Sequence, residues 1–597
     1  MRVADYIMFR IVKLGIKQVF FLPGGGAMHL NDALASNKQL EPVLCLHEQA
    51  CGIAAEGAGK LLGGPSACLV TSGPGATNVL TATLAAWLDS TPVFFISGQV
   101  KTADLKTGTA LRILGVQEVD IISMASPVTK KAITLLNPYD VAYVFDELEI
   151  AALSGRKGPV WLDVPLDVQA MEIEPSNLRR FTPPESNELQ DLVLAAEKTL
   201  ALLRHAKRPV IIVGSGIRGS GGVSEFREFV EVAGIPVLTT WLGMDLMEDD
   251  HPLYAGRPGS IAPRWANFSL QNADLILVIG ARLDMAMTAY SHENFARGAV
   301  KIMVDIDFAE IKKMRMNIHV PVEADAREFL INLNSQLKKI PLLPSYATWI
   351  EQIGKWKKRY PLLNKEHITT DGPISLYYFT HELSSKLKEG DVIASGSAGF
   401  CAELFLLSLR LKKNQRCFHN RGTGSMGFGL PAAIGACLAS ERTRTICVEG
   451  DGGIQMNIQE LATLASMDLP VKCFVINNSG YASIRAAQHN YFKRLIGADA
   501  SSGLKLPDLS MLAKAYGVPY MRIESGQDLA LQLEKAIGGN GPMLCEVIVL
   551  SEEARIPRVA SRLGVNGNMI SSPLEDLFPF LDREELISNM YIPLLEE

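Results

Sequence analysis

An aspartate and two asparagines follow two neighbouring apolar runs of the sequence. Asp451 stands among glycines directly after TICVEG, and Asn477 and Asn478 come directly after VKCFVI, 26 and 27 positions further on. One carboxylate, one amide oxygen and a nearby backbone carbonyl make half of the octahedral oxygen shell that Mg²⁺ prefers, and phosphate oxygens and water normally complete it. The spacing therefore predicts a Mg²⁺ site that anchors a diphosphate.

The segment between these residues indicates how they could meet. TICVEG and VKCFVI are typical of buried strands, and IQMNIQELATLASM between them has the apolar spacing of a helix. Parallel strands joined by a helix end at the same edge of a sheet, where ligands collect. Gly450, Gly452 and Gly453 let the backbone approach such a ligand closely. Gly, Asn and Asp also dominate turns, but two such clusters on consecutive strands favour a binding site over two turns.

The composition is that of a large globular protein. At 597 residues the chain exceeds the size of a single core, so about two to four domains are expected. A net charge of −6 offers no basic field for nucleic acid, and the longest apolar runs are too short to span a membrane. Asp5 and Arg10 interrupt the apolar start, unlike a signal peptide. Nine scattered cysteines without metal-ligand spacing indicate buried free thiols, so a cytoplasmic location is expected.

Short β-rich runs alternate with helical patterns in three blocks, which predicts α/β domains built on parallel sheets. We expect a first domain over 1–175, a central Rossmann-like domain over 190–340 and a third domain over 370–550. Polar, Pro-bearing connectors separate the blocks. A tail over 551–597 has little strand pattern, but its Leu, Phe and Met content indicates that it docks on the folded protein.

GDG followed at this spacing by NN resembles the fingerprint of the thiamine diphosphate enzymes. LHEQACGIAAEGAGKLLG, TSGPGATNVLTATLAAWLDSTPVFFISGQV and GTGSMGFGLPAAIGA resemble the acetolactate synthase branch in particular. The resemblance covers most of the chain and implies a pyrimidine-binding, a central and a diphosphate-binding domain. In that family the active sites lie between the first domain of one subunit and the third domain of another. A homodimer or homotetramer is therefore expected.

The resemblance assigns roles to single residues. Asp451 and Asn478 match the metal ligands, with the carbonyl of Gly480 as a third. Glu48 in HEQA matches the glutamate that bonds the cofactor's pyrimidine ring and promotes the imino tautomer, which generates the reactive ylid. A carboxylate suits this task because burial would raise its pKa towards proton sharing with a weakly basic ring nitrogen.

Three further site residues come from the same resemblance. Met426 matches the bulky residue that props the cofactor into a V shape, and an unbranched thioether can fill that irregular gap. Gly424 would offer its carbonyl to the cofactor's amino group. Gln99 in SGQV matches a catalytic glutamine near the substrate, with a polar residue at a strand end as the alternative. His29 and His47 stay open between a catalytic and a structural role.

The central block carries glycine-rich and acidic turns after its strands. GSG at 214–216, GARLD at 280–284 and DID at 305–307 are similar to the segments that hold FAD in acetolactate synthases. The resemblance therefore implies a FAD site in this domain. A glycine-rich turn that binds no dinucleotide is the alternative.

The sequence departs from the family around the acceptor. Ala487 stands where acetolactate synthases have a tryptophan, Val116 stands where they have a phenylalanine, and GSAGFC at 396–401 replaces their GQHQ segment. Loss of aromatic bulk makes room for an acceptor larger than a second pyruvate. The tail SSPLEDLFPFLDREELISNM resembles that of homologues associated with surface-polysaccharide biosynthesis, in which related carboligases act on nucleotide-linked keto-sugars.

These observations predict a thiamine diphosphate- and Mg²⁺-dependent carboligase. It would decarboxylate a 2-keto acid, pyruvate in the first instance, and transfer the two-carbon unit to a small-molecule carbonyl acceptor such as a nucleotide-linked keto-sugar. One alternative is an acetolactate synthase with pyruvate as acceptor, and another is a flavin enzyme resembling pyruvate oxidase. A non-catalytic cofactor-binding subunit is a third, against which the presence of Glu48 argues.

Overall fold

The computed structural model describes residues 1–183, 191–397, 399–563 and 569–595, which form three six-stranded parallel sheets. The predicted α/β fold class with three parallel-sheet domains is confirmed. The connector residues 184–190, Ala398 in GSAGFC and positions 564–568 and 596–597 of the tail lie outside the described residues.

The first sheet has the strand order β2-β1-β3-β4-β6-β5. Its strands are β1 Gln18–Phe21, β2 Glu41–Leu44, β3 Ser66–Val70, β4 Val93–Gln99, β5 Lys131–Thr134 and β6 Val160–Pro165. The helices around it are α1 Val3–Lys13, α2 Met28–Ser36, α3 Glu48–Leu62, α4 Pro74–Asn78, α5 Leu80–Leu88, α6 Ile121–Ala125, α7 Val141–Leu153 and α8 Leu166–Ala170. β3 and β4 are buried along their whole length, as expected for a sheet covered on both faces.

The middle sheet has the order β12-β11-β10-β7-β8-β9. Its strands are β7 Pro209–Val213, β8 Val237–Thr239, β9 Tyr254–Gly256, β10 Leu275–Ile279, β11 Val300–Asp305 and β12 Val320–Glu323. Its helices are α9 Leu192–His205, α10 Gly216–Gly219, α11 Val223–Ala233, α12 Arg264–Gln271, α13 Phe308–Lys312, α14 Ala326–Leu337 and, after the sheet, α15 Ala347–Arg359.

The third sheet has the order β14-β13-β15-β16-β18-β17. Its strands are β13 Val392–Ser395, β14 Arg416–Phe418, β15 Thr445–Gly450, β16 Val471–Asn477, β17 Tyr520–Ile523 and β18 Met543–Ile548. Its helices are α16 Leu376–Lys386, α17 Gly399–Ser408, α18 Gly429–Ala439, α19 Glu460–Ser466, α20 Ala482–Phe492, α21 Leu509–Tyr516 and α22 Leu529–Ile537. The helix expected after Asp451 is split into a 3₁₀ turn, Ile454–Asn457, and α19.

Helices α3 and α18 join the first and third domains at very close range. A Cβ added to Gly57 would lie 2.4 Å from the carbonyl oxygen of Ala432, and one added to Gly435 would lie 1.9 Å from that of Ala54. Only glycine permits backbones to approach this closely. The contact fixes α3, which begins at Glu48, against the third domain of its own chain.

The tail docks on the middle domain, in agreement with its apolar content. It contributes an antiparallel pair, β19 Ser561–Leu563 and β20 Met569–Ser571, and the short helix α23 Arg583–Ser588. Leu574 and Leu586 are buried in the middle domain's core. Asn267 Nδ2 donates to the Leu574 carbonyl at 2.7 Å, and Trp356 Nε1 donates to Asn589 Oδ1 at 2.8 Å. The tail is therefore a strap that runs from the third domain to the second.

Two further predictions concern cysteines and membranes. All nine cysteines are buried and none forms a disulfide, as predicted. Within the described ranges, every helix is too short or too polar to cross a lipid bilayer.

Candidate functional site

The ends of β15 and β16 bring Asp451 next to the asparagines. Gly450 is paired with Ile476 in the parallel register, and the N–H of Asp451 donates to the Ile476 carbonyl at 3.1 Å. Asp451 Oδ2 accepts from the Gly480 N–H at 2.8 Å, and Oδ1 accepts from the Gly452 N–H at 2.9 Å. The side chain is almost fully buried, and this burial raises the pKa of Asp451 to about 6. No salt bridge among the described residues includes Asp451, although the charge of Arg485 acts on it, and such a buried carboxylate favours a positively charged ligand.

Asn478 supplies the second oxygen of this edge. Its side chain is buried, and its Oδ1 has no hydrogen-bond partner in the described chain. An orphaned buried acceptor costs about 1–3 kcal/mol, so such atoms usually serve a ligand. Described residues contain no group of three or more His, Cys, Asp or Glu side chains suited to a metal. The donor set is instead a carboxylate, an amide and backbone carbonyls, which fits the hard cation Mg²⁺.

The neighbouring Asn477 has a different role. Its Nδ2 donates to Glu546 Oε1 at 2.6 Å, and its Oδ1 accepts from the Ser479 N–H at 3.0 Å. Both ends of this amide are used inside the protein. Of the two asparagines that the sequence presented, the second is therefore the one left open to a ligand.

Gly480 completes the turn after β16. Its φ is +124°, and an added Cβ would lie 2.4 Å from the Ala498 carbonyl. No other residue type fits this position without displacing the backbone. The tight turn keeps the Gly480 backbone beside Asp451, where its N–H is already bonded.

The loop before α18 carries Gly424 and Met426. Gly424 has φ +62°, and its N–H donates to Asn420 Oδ1 at 3.3 Å. The N–H of Thr423 donates to the same oxygen at 2.9 Å. Met426 is 39% exposed, so its thioether is available to contact another molecule. Asn420 thus shapes the segment on which both predicted cofactor contacts lie.

Two carboxylates of the first domain accept hydrogen bonds from the loop before α18. Asn420 Nδ2 donates to Glu56 Oε1 at 3.0 Å, and the Gly422 N–H donates to Asp89 Oδ1 at 3.0 Å. Lys60 lies between the two carboxylates, at 2.9 Å from Glu56 and 2.8 Å from Asp89. All three charged side chains are buried or nearly so. The sequence analysis did not predict this cluster, because the loop that it holds lies more than 300 positions further along the chain.

Glu449 is a buried acid at the site that the sequence analysis did not single out. Its Oε2 accepts from the Gly429 N–H at 2.8 Å, and its carboxylate closely approaches Gly396 and Gly453. Burial raises the pKa of Glu449 to about 7. A charged residue at the end of the otherwise apolar strand TICVEG was the available signal.

Glu48 is the first residue of α3 and is half-buried. Its Oε2 accepts from Asn78 Nδ2 at 3.0 Å. No hydrogen bond in the described part of the chain joins Glu48 to Asp451 or Asn478. The structure thus brings Asp451, Asn478 and Gly480 together but leaves Glu48 in its own domain. His47 caps α3 by accepting from the Gln49 N–H at 3.2 Å, which is a structural role.

Gln99 ends β4 and is fully engaged inside the first domain. It is only 2% exposed, and its Nε2 donates to the Val119 carbonyl at 2.8 Å and to Asp163 Oδ2 at 3.2 Å. Its Oε1 accepts from the Val100 N–H at 3.0 Å. Burial raises the pKa of Asp163 to about 7. Gln99 therefore holds the segment that carries Val119. Its amide could contact a substrate only in addition to these bonds or in place of one of them.

A cavity of about 540 Å³ lies where the three domains meet. GSG at 214–216, GARLD at 280–284 and Asp305 line it, and each of them follows or ends a strand of the middle sheet. Burial raises the pKa of Asp305 to about 6. An acid at a strand end beside glycine-rich turns is the arrangement that binds a dinucleotide ribose. Lys60 and Arg421 line the wall formed by the other two domains.

Comparison with known proteins agrees with this geometry. The models of the thiamine pyrophosphate enzyme N-terminal binding domain, central domain and C-terminal binding domain match residues 1–124, 196–333 and 396–547. The chain belongs to the thiamine pyrophosphate enzymes, and it is a carboligase of the acetolactate synthase type.

Individual relatives support the finer placement within that class. The chain is 32% identical over 574 residues to "Acetolactate synthase 1, chloroplastic" of Zea mays, covering 94% of this chain and 87% of that protein. It is 31% identical over 575 residues to the Arabidopsis thaliana acetolactate synthase, covering 94% and 83%. It is also 31% identical over 567 residues to the acetolactate synthase large subunit of Cyanidium caldarium, covering 92% and 93%.

Proposed function

We propose that this protein is a thiamine diphosphate- and Mg²⁺-dependent carboligase that takes its two-carbon unit from pyruvate. We further propose an acceptor larger than pyruvate, of the nucleotide-linked keto-sugar class. The observation that carries the cofactor proposal is the edge formed by Asp451 and Asn478. There, a buried carboxylate and an amide oxygen lie at the ends of adjacent strands, the first without a salt bridge and the second without a hydrogen bond among the described residues.

Each proposed role uses an atom that the fold leaves available. Asp451, Asn478 Oδ1 and the Gly480 carbonyl would hold the cation, which in turn would hold the diphosphate. The glycines Gly450, Gly452 and Gly453 leave room for phosphate oxygens near the backbone. These observations support the cofactor site and do not depend on the size of the acceptor substrate.

The pyrimidine end of the cofactor would lie on the other side of the same cleft. Gly424 would accept a hydrogen bond from the cofactor's amino group, and Met426 would support the bend between the two rings. Glu48 would exchange a proton with a ring nitrogen. When bound, thiamine diphosphate supplies the carbanion chemistry, while the protein supplies orientation and exclusion of water.

Because Glu48 bonds within its own domain, it would have to reach the cofactor from a partner subunit. The resemblance to the acetolactate synthases, whose active sites lie between subunits, supports this arrangement. We therefore propose a homodimer or homotetramer whose sites combine the first domain of one subunit with the third domain of another. The nine buried free thiols favour a reducing, cytoplasmic environment.

Two small exposed residues, at positions that the resemblance places near the acceptor, support the proposal of a larger acceptor substrate. Val116 is 88% exposed, and Ala487 is also exposed on α20. Both stand where acetolactate synthases resembled by this chain carry aromatic side chains. Without those rings the acceptor side is wider, since a valine and an alanine fill less volume than a phenylalanine and a tryptophan.

We also propose that the 540 Å³ cavity between the three domains holds FAD. Asp305 would bind a ribose hydroxyl, and the turns 214–216 and 280–284 would lie along the dinucleotide. A flavin at this place is also what a pyruvate oxidase-like enzyme would use. The two functions differ in a single measurable way, because only the oxidase consumes O₂ in proportion to pyruvate.

The decisive experiment is product analysis from ¹³C-labelled pyruvate. The reconstituted enzyme is given thiamine diphosphate, Mg²⁺ and a panel of aldehydes, 2-keto acids and nucleotide-linked keto-sugars, and products are identified by mass spectrometry. We expect the labelled two-carbon unit on a keto-sugar under anaerobic conditions. Acetolactate as the sole product would reject the large acceptor, and stoichiometric O₂ consumption would identify the oxidase instead.

A further inference from the structure

A buried arginine lies directly behind the proposed cation site. Arg485 is on the second turn of α20 and is only 8% exposed. Its guanidinium donates to three backbone carbonyls, those of Asn478 at 3.0 Å, Ser479 at 3.3 Å and Ser551 at 2.7 Å. Within the described ranges no carboxylate forms a salt bridge with it, although its positive charge acts to lower the pKa of the Asp451 and Asp499 carboxyls. A buried guanidinium bonded only to carbonyls is an expensive arrangement, which requires a compensating role.

Two of these three carbonyls belong to the turn that presents the cation ligands. Asn478 offers its side-chain oxygen while its own carbonyl is bonded by Arg485. Ser479 adopts φ +65° and Gly480 adopts φ +124°, so the turn has a backbone conformation that is unfavourable for most residues. Such a conformation persists only where surrounding contacts impose it. The guanidinium fork, with its fixed donor geometry, can impose it at two successive carbonyls.

The third carbonyl connects the turn to the strap. Ser551 lies three residues after the end of β18, where the chain leaves towards the middle domain. Two residues later, Glu553 accepts from the Leu376 N–H at 2.8 Å, and Tyr377 Oη donates to the Ile556 carbonyl at 2.7 Å. The root of the strap is therefore fixed to α16, and Arg485 bonds to this fixed backbone.

We propose that Arg485 is a positioning residue that sets the cation-binding turn by tying it to the root of the C-terminal strap. The inference rests on the proposed function, because it concerns the Mg²⁺ and thiamine diphosphate that this turn would hold. Arg485 acts through the backbone of Asn478 and Ser479 and not by contact with substrate. A purely structural arginine would contribute to folding stability but would leave the affinity for the cation unchanged.

The test measures binding of Mn²⁺ as a spectroscopic substitute for Mg²⁺. The native protein and the variants Arg485→Lys and Arg485→Met are titrated with Mn²⁺ in the presence of thiamine diphosphate, and free Mn²⁺ is followed by electron paramagnetic resonance. We expect Arg485→Met to weaken Mn²⁺ binding by about 10–100-fold, as loss of outer partners of a metal site does. Arg485→Lys keeps the charge but loses the fork, so its affinity is expected to fall between the two.

Arg444 provides a matched control in the same domain. It pairs with Asp391 through a bond of 3.0 Å, and it precedes β15 at the opposite end of the strand from Asp451. Arg444→Met should lower the melting temperature without changing the Mn²⁺ affinity. For the Arg485 variants, turnover measured at saturating metal should recover to within a few-fold of native, because the chemical groups are intact.

Unchanged Mn²⁺ affinity in Arg485→Met would overturn the inference. If that variant does not fold, Arg485→Lys decides, and native affinity in it has the same meaning. A weakened affinity that also appears in Arg444→Met would show general destabilisation and would equally reject the positioning role. Failure of the native protein to bind Mn²⁺ with thiamine diphosphate would reject the proposed cofactor site itself, and this outcome is recognised because it precedes any substitution.

Discussion

The first and third sheets share one strand order. Counted from the first strand of each domain, both read 2-1-3-4-6-5. Each also pairs an amide with a carboxylate at the same place. Gln99 ends β4 and bonds Asp163 on β6, while Asn477 ends β16 and bonds Glu546 on β18.

The strand register places the amide and the carboxylate at the same relative positions in both sheets. Asp163 is paired with Ser97, two residues before Gln99, and Glu546 is paired with Val475, two residues before Asn477. The amide–carboxylate pair therefore belongs to the shared framework of both sheets and does not by itself make a cation site.

The two domains differ at the end of the neighbouring strand and at the residue after the framework amide. In the third domain Asp451 follows β15 and Asn478 follows the framework amide, so two more oxygens meet at this edge. In the first domain β3 is followed by Thr71 and Ser72, whose side chains crowd Gly24 and Gly26 so closely that added Cβ atoms would lie 2.5 Å from them. The same scaffold is thus filled by the protein in one domain and left open for a ligand in the other.

The largest effect is expected from removal of the carboxylate that distinguishes the third domain. Asp451→Ala should abolish Mg²⁺-dependent binding of thiamine diphosphate and lower turnover by more than about 10³-fold, since the ion would lose its only charged protein ligand. Isothermal titration calorimetry with cofactor and Mg²⁺ measures the binding. Asp163→Asn, which alters the framework carboxylate of the first domain, should bind the cofactor normally. Equal losses in both variants would contradict the distinction between the two sheets.

Glu48→Gln should separate catalysis from binding. Turnover is expected to fall by about 10²–10⁴-fold, because the variant cannot exchange a proton with the cofactor's ring. The affinity for thiamine diphosphate with Mg²⁺ should stay within a few-fold of native, in contrast to Asp451→Ala. Steady-state rates and calorimetry on the same preparation check both halves, and unaffected turnover would remove Glu48 from the mechanism.

Substitution of the two adjacent asparagines should affect different properties, metal binding for Asn478 and folding stability for Asn477. Asn478→Ala should weaken Mn²⁺ or Mg²⁺ binding by about 10–100-fold. Asn477→Ala leaves the buried Glu546 short of a donor and should lower the free energy of unfolding by about 1–3 kcal/mol, with a smaller change in metal affinity. Metal titration and urea denaturation distinguish the outcomes. A reversed pattern would mean that Asn477 is the ligand.

The smallest effect concerns the pH dependence of the first domain. The folded-state pKa of Asp163 is about 7, above its ordinary value of 3.8, so the folded protein binds a proton that the unfolded chain has released. The resulting stability is complete below pH 4 and is lost as the pH rises towards 7. Asn mimics the protonated acid, so Asp163→Asn should gain on the native protein by up to a few kcal/mol between pH 5 and pH 8. Denaturant unfolding at both pH values measures this, and a constant difference would contradict the shifted pKa.

The sequence predicted the three parallel sheets and the meeting of Asp451 with Asn478 at one sheet edge, but not the contacts that support them. Strand patterns and the Asp451–Asn478 spacing depend on neighbouring residues, so they could be predicted locally. The partners of Arg485, Asn420 and Gln99 are set by tertiary packing, which periodicity does not encode. Glu449 was overlooked because it stands inside a motif whose aspartate alone carries the resemblance.

Gln99 shows the limit of transferring a role by motif. SGQV placed it near the substrate, whereas the described contacts of its amide are with Val119, Val100 and Asp163. Its catalytic assignment stays a prediction. Whether the amide turns towards a substrate depends on the segment around Val119, and a pattern of residue types carries no information about that.

The glycine contact between α3 and α18 has a consequence for mixed assemblies. Because α3 is fixed to its own chain, each subunit of the proposed dimer would bring the glutamate of one centre and the cation ligands of the other. Two inactive proteins, Glu48→Gln and Asp451→Ala, could then complement each other when unfolded together and reassembled. Random pairing would create one intact centre in each hybrid, so the mixture should regain about a quarter of native activity.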